Sequence, residues 1–137
     1  MFLMELEEEE KKLFWTLAIN MIMADGIISE EELNLLNQYQ KEMGTSFKLE
    51  RGYVLTTDDL SKDIESCSKR TKRVILFELL GLAYSDHEFA REEQDIIDKY
   101  AKISGVSPTE CDEMKKCIDE VSKVYSRLAI VLNGDGA

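Results

Sequence analysis

Four carboxylates at matching places in two loops are the residues of this chain most able to do chemistry. Asp25 ends a long apolar segment and Glu32 lies near the start of the next helical pattern, and Asp86 and Glu93 repeat this arrangement further along. Carboxylate oxygens are the ligands that Ca²⁺ and Mg²⁺ prefer in proteins. If the two loops come together, Asp25, Glu32, Asp86 and Glu93 would form a site for Ca²⁺ or Mg²⁺.

The first loop shares part of its spacing with a calcium-binding EF-hand, but it lacks the ligands. An EF-hand loop has glycine at its sixth position and glutamate at its twelfth. Placing Gly26 at the sixth position puts Met21 and Met23 at the first and third, where calcium needs oxygen ligands. In the second loop His87 stands where glycine is needed. We therefore do not expect an EF-hand.

Helix capping gives these residues a simpler role. Ser29 and Glu32 have the spacing of a capping box, in which each side chain accepts a hydrogen bond from the other residue's backbone amide. Asp25 and Asp86 can each fold their own turn through side-chain hydrogen bonds to the backbone. Capping alone is the interpretation that we favour, and a metal site that uses Asp25, Asp86 and the two glutamates is the alternative.

The elements that position these residues are predicted to be helices, because long stretches have apolar residues at helical spacing and almost none alternate. We predict an all-α, single-domain bundle of about six or seven helices over residues 1–137. The predicted helices span about 5–24, 29–43, 57–67, 69–84, 90–104 and 108–132. Segments 13–23 and 74–84 are apolar around nearly the whole circumference, which is typical of central, buried helices.

The outer helices are predicted to be amphipathic. The second helix has an apolar stripe, formed by Leu33, Leu35, Leu36, Tyr39 and Met43. Gly44 follows it, as glycine often follows the end of a helix. Gly81 lies inside the second central helix, where we expect it to allow close approach of a neighbouring helix.

A shift of 61 residues brings two parts of the chain into register without a gap. The halves are about 5–44 and 69–105, and a C-terminal helix over about 108–132 follows them. Asp25 then matches Asp86, and Gly44 matches Gly105. Such self-similarity indicates two copies of one supersecondary unit, and we expect them to pack about a pseudo-twofold axis.

These loops resemble those of the tellurite-resistance TerB-like family. The residues that carry the resemblance are Ala24-Asp25-Gly26, Ile28, Ser29, Glu32 and Leu36, repeated as Ser85-Asp86-His87, Phe89, Ala90, Glu93 and Ile97. The resemblance implies an all-helical domain with two pseudo-symmetric halves, no established catalytic activity, and an acidic face proposed to bind metal or protein partners. His87 and Ala90 depart from the pattern, which puts the second loop in doubt as a ligand site.

Charge and composition favour a protein partner over other kinds of partner. The formal net charge of −11 opposes binding to nucleic acid and to anionic membrane surfaces. We expect a cytoplasmic chain without membrane insertion, because the apolar stretches are too short to span a bilayer and no signal peptide pattern is present. The three cysteines have no zinc-binding spacing and are interpreted as small buried thiols.

No pattern in the chain is typical of an enzyme. There is no catalytic Ser–His–Asp order and no phosphate-binding glycine loop, and His87 is interpreted as a solvated loop residue. The leading hypothesis is an interaction module of a cytoplasmic stress response that acts through an acidic surface. The alternative is a protein that binds or senses divalent metal. The sequence predicts neither the oligomeric state nor the identity of a partner.

Overall fold

The computed structural model describes residues 1–23, 28–49, 58–84 and 91–134, with the backbone alone at 58–59 and 91–92. After a short 3₁₀ turn, Leu3–Glu5, the described ranges hold six α-helices and no strand. The helices are α1 (Glu8–Ile22), α2 (Glu30–Met43), α3 (Asp58–Ser66), α4 (Lys69–Ala83), α5 (Arg91–Ser104) and α6 (Pro108–Leu132). The predicted all-α class is confirmed. Among the described residues, no helix is long and apolar enough to cross a bilayer.

The chain divides into two compact units. The first, Met1–Val106, contains the 3₁₀ turn and α1 to α5, and the second, Ser107–Ala137, contains α6. That the whole chain forms one domain stays a prediction.

The core of the first unit is built on α1 and α4, which pack against each other. The buried residues of α1 cover about two thirds of the helix circumference: Leu13, Phe14, Trp15, Leu17, Ala18, Ile19, Met21 and Ile22. Those of α4 are Val74, Ile75, Leu76, Glu78, Leu79, Leu80, Leu82 and Ala83. The prediction of two central helices is therefore confirmed. Burial of a large apolar side chain contributes roughly 1.5–3 kcal/mol, so this pair supplies much of the driving force for folding.

Local signals in the sequence place most helix ends. Ser29 caps α2 and Ser107 caps α6, where Pro108 occupies the first turn. Gly44 and Gly105 adopt φ values of 69° and 75°, the left-handed conformation that glycine enters without strain. The first helix begins at Glu8 rather than at the predicted Glu5, because the Glu10 side chain accepts a hydrogen bond from the Glu7 amide at 2.8 Å and so caps the helix there.

Two expectations about individual residues were wrong. Leu33 is 40% exposed, because the buried stripe of α2 consists of Glu32, Leu36, Tyr39 and Met43. Gly81 does not mark a close helix contact, because a Cβ added there would meet no atom within 4 Å.

The helix bounds agree with the predicted repeat, although the symmetry itself stays a prediction. Both ends of α4 lie 61 residues after those of α1, and both ends of α5 lie 61 residues after those of α2. Tyr39 and Tyr100, one on each outer helix, are both buried and donate hydrogen bonds from their hydroxyl groups to backbone oxygens of α4, at 3.2 and 2.8 Å. If a strict twofold axis exchanged α1 with α4, one of the two tyrosine hydroxyl groups would donate its hydrogen bond to α1 instead.

Candidate functional site

Glu32 is a buried helix cap. Its Oε1 accepts a hydrogen bond from the Ser29 amide at 2.9 Å, and its own amide donates to Ser29 Oγ at 3.1 Å. The capping box predicted for these two residues is therefore present. The side chain is only 4% exposed, since it heads the buried stripe of α2. Glu32 thus closes the start of α2 and holds a carboxylate inside the protein.

Glu93 has the matching position in α5. It is also 4% exposed and lies one turn before Ile97, which is 2% exposed, while Tyr100 follows on the same face at 0%. Burying an ionised carboxylate is costly unless hydrogen bonds or positive charges compensate it. Two buried glutamates, each the third residue of its helix, are therefore the most unusual chemical feature that the structure shares with the predicted site.

The other predicted ligands cannot be placed beside them. Asp25, Asp86 and His87 lie outside the described residues. Among the residues that are described, no three His, Cys, Asp or Glu side chains come together in a group that could hold a metal ion. The four-carboxylate metal site stays a prediction.

A third buried carboxylate, Glu78 in α4, was missed by the sequence analysis. It is 4% exposed and accepts hydrogen bonds from the Met1 ammonium at 3.0 Å and from the Phe2 amide at 3.2 Å. The Met1 ammonium also lies 3.0 Å from Glu42. Burial lowers the pKa of this amine, but the hydrogen bonds with Glu78 and Glu42 outweigh that effect and raise it.

The signal that could have identified Glu78 is a lone charge in the otherwise apolar segment 74–84 of the chain. Its backbone oxygen accepts the Tyr39 hydroxyl, so the residue joins the start of the chain and α2 to α4. Its contacts are all structural, and we assign it a role in packing.

An acidic groove lies between the start of α1 and the end of α3. It has a volume of about 320 Å³ and is lined by Glu7, Glu9, Glu10, Leu13, Asp63, Ser66 and Cys67. Four of these seven residues are acids, and Leu13 supplies a buried apolar surface among them. The groove is therefore lined mainly by negative charge, and Leu13, at 6% exposed, contributes only a small apolar surface. In the sequence, Glu7 to Glu10 predict only a solvated helix start, because acids favour the positive end of the helix dipole.

The cysteine in this groove is a poor nucleophile. Burial, followed by the nearby Glu10 carboxylate, raises the pKa of the Cys67 thiol above its usual value. A catalytic thiol needs the opposite shift, because the thiolate is the reactive form. The expectation that all three cysteines are buried was wrong, because Cys117 is exposed and Cys67 and Cys111 are only partly covered.

Basic residues open α4, and Arg70 among them pairs with a carboxylate. Arg70 donates two hydrogen bonds to the Glu5 carboxylate, at 2.8 and 2.9 Å. These hydrogen bonds from Arg70 are the largest cause of a shift that lowers the pKa of the Glu5 carboxyl. Positive charge at a helix start opposes the helix dipole, and the Glu5 carboxylate offsets part of that cost.

The fold and these acidic features together define the class of the protein. The described residues are all-helical, with two central helices covered by amphipathic ones in the first unit and with acidic residues in the first turns of the helices other than α4. The model of the family described as tellurite resistance protein TerB matches residues 11–116, and the chain belongs to this TerB family. No curated protein and no solved structure matches the chain.

Proposed function

We propose that this chain is a non-enzymatic interaction module of a cytoplasmic stress response of the tellurite-resistance type. Its acidic groove binds a basic, partly apolar segment of another protein. The observation that carries the proposal is the juxtaposition of four carboxylates with Leu13 in one groove. Membership of the TerB family supports the assignment of this module to a response of the tellurite-resistance type.

The size and chemistry of the groove suit a side chain better than a metabolite. A volume of about 320 Å³ is at the small end of the range for ligand pockets. Glu9 and Asp63 are exposed at its rim, where they can meet a Lys or Arg from a partner. Complementary charge of this kind mainly raises the association rate and the specificity of binding.

Charge reversal with a matched control tests this proposal. The groove variant carries Glu9→Lys and Asp63→Lys, and the control carries Glu30→Lys and Glu31→Lys in the exposed first turn of α2. Both change the net charge equally. We expect affinity capture from the native cell to recover a protein with the wild type and the control but not with the groove variant. Equal recovery with all three chains would refute the assignment of the groove, provided that circular dichroism shows all three folded.

A second candidate function is the binding of a divalent cation, and the burial of both Glu32 and Glu93 favours it. A cation held by these carboxylates together with Asp25 and Asp86 would neutralise charge that is costly to bury. Under the capping interpretation, the same glutamates need no ion.

Calorimetric titration with Ca²⁺, Mg²⁺ and Zn²⁺ separates the two roles of the glutamates. Gln can accept the same capping hydrogen bond through its side-chain oxygen but carries no charge. A metal site predicts that Glu32→Gln with Glu93→Gln, and separately Asp25→Asn with Asp86→Asn, abolishes the binding heat. If the wild-type chain binds none of the three ions, the metal function is wrong.

A further inference from the structure

The helix α6 carries a continuous apolar stripe at the spacing of a coiled coil. The residues of the stripe are spaced alternately three and four positions apart: Cys111, Met114, Ile118, Val121, Tyr125, Leu128 and Leu132. Cys117, Val124 and Val131 widen the stripe along one flank. Apolar residues repeated every seven positions keep one face of a helix toward another helix over its whole length. The pattern therefore indicates a helical partner that runs alongside α6.

The stripe is most exposed in the C-terminal half of the helix. Five large apolar side chains of the stripe and its flank are between 45% and 76% exposed there: Val124, Tyr125, Leu128, Val131 and Leu132. None of the residues of this fully described helix is buried. An exposed apolar patch of this extent is typical of an interaction surface.

The length of α6 also sets it apart. Its 25 residues span about 38 Å, whereas α1 and α4, with 15 residues each, span about 22 Å. The match to the TerB family ends at residue 116, so five of the seven stripe residues lie beyond the matched part of the chain. The α6 helix of a second copy of this protein has the same length and the same apolar pattern, so it is a suitable partner for the stripe.

The charges along α6 determine which direction of pairing is favourable. Residues 108–120 contain five acids and two bases, whereas residues 121–134 contain Lys123 and Arg127 and no acid. Residues 1–106 contain 22 acids and 13 bases, a net charge of −9. An antiparallel pair would bring each acidic half beside a basic half and attach the two strongly acidic units at opposite ends. A parallel pair would set like charges together.

We propose that two copies of this chain associate through an antiparallel coiled coil of α6 helices. In the register that aligns the stripes, Val121 of each copy faces Ile118 of the other, and Leu128 faces Cys111. Arg127 then lies on the same flank as Glu113 of the second copy. The interface is separate from the acidic groove, so the proposal does not depend on the proposed function.

Sedimentation equilibrium of the full chain tests the association. We expect the wild type to be a dimer at micromolar concentration. Leu128→Lys places a charge in the seam and is expected to raise the dimer dissociation constant by at least about 100-fold. The control Ser126→Lys adds the same charge at an exposed position off the stripe and is expected to leave a dimer. A wild-type chain that stays monomeric overturns the proposal. The stripe would then pack within its own chain or bind a membrane surface. Flotation with anionic phosphatidylserine vesicles distinguishes these two outcomes.

Disulfide cross-linking tests the direction and does not require the Leu128→Lys variant to fold. In a background of Cys67→Ser and Cys117→Ser, Cys111 is the one remaining thiol. An antiparallel pair keeps the two Cys111 residues far apart, so oxidation of this background should leave separate chains. Adding Leu128→Cys should give a covalent dimer in which the new thiol is joined to Cys111 of the second copy. A cross-link that forms without Leu128→Cys would show parallel pairing and overturn the proposal.

Discussion

Replacement of Gly81 by alanine is expected to stabilise the protein by about 0.5–1 kcal/mol. The residue lies inside α4, where glycine is about 1 kcal/mol less favourable than alanine, mainly because the unfolded chain is more flexible at glycine. The added methyl group would meet no atom within 4 Å, so no steric penalty opposes the gain. The sequence alone had suggested a close contact here, which would predict the opposite sign.

Gly105→Ala is the matched control. An added Cβ at Gly105 also meets nothing within 4 Å, but the backbone has φ of 75°. An L-residue in this left-handed conformation costs roughly 1–2 kcal/mol. The same chemical change should therefore stabilise at Gly81 and destabilise at Gly105, and the two variants should differ by roughly 1.5–3 kcal/mol.

Urea denaturation followed by circular dichroism measures both effects, provided that the slope of the free energy against urea is unchanged. For a chain of this size, Gly81→Ala should raise Tm by roughly 2–5 °C. A decrease in stability on Gly81→Ala would show that a neighbouring helix does contact this position and would refute the argument.

Three other predictions concern capping, a buried hydrogen bond and an ion pair. Ser29→Ala removes the hydroxyl that caps α2 and should lower the free energy of unfolding by about 1 kcal/mol. An unchanged free energy of unfolding would show that the cap does not contribute to stability. Tyr100→Phe removes the 2.8 Å hydrogen bond to the Lys72 oxygen and should cost about 1 kcal/mol in the same urea assay. The Glu5 carboxylate should titrate below its ordinary pKa of 4.5 in an NMR experiment, and Arg70→Gln should restore it. Because the folded-state pKa is lowered, this pair stabilises the protein above that ordinary value and its contribution is lost as the pH falls through the lowered pKa.

The two proposals concern different parts of the chain and have different consequences. The acidic groove lies in the first unit, and four of its seven lining residues, including one of its four acids, fall within the residues that match the TerB family. The stripe of α6 continues beyond the match. If both proposals hold, a dimer would present two acidic grooves to its partners, and two linked sites bind a repeated or multivalent partner more tightly than one.

Features that depend on neighbouring residues along the chain were predictable from the sequence. Ser29 with Glu32, and Ser107 with Pro108, identify helix starts because the bonds that cap a helix form within one turn. Gly44 identifies a helix end because its left-handed conformation is a local property. The central position of α1 and α4 followed from the apolar residues around most of the circumference of segments 13–23 and 74–84, since such a surface must be covered by other helices.

Features that depend on which surfaces meet were decided only by the tertiary structure. Glu32 rather than Leu33 lies on the buried stripe of α2, because the packing of that helix determines which face turns inward. Glu78 is buried because its carboxylate meets an ammonium 77 residues away in the chain, a contact that no local pattern encodes. The acidic groove likewise combines residues of α1 with Asp63 of α3. Local rules act over one helical turn, whereas burial and charge pairing depend on contacts between segments that are distant in sequence.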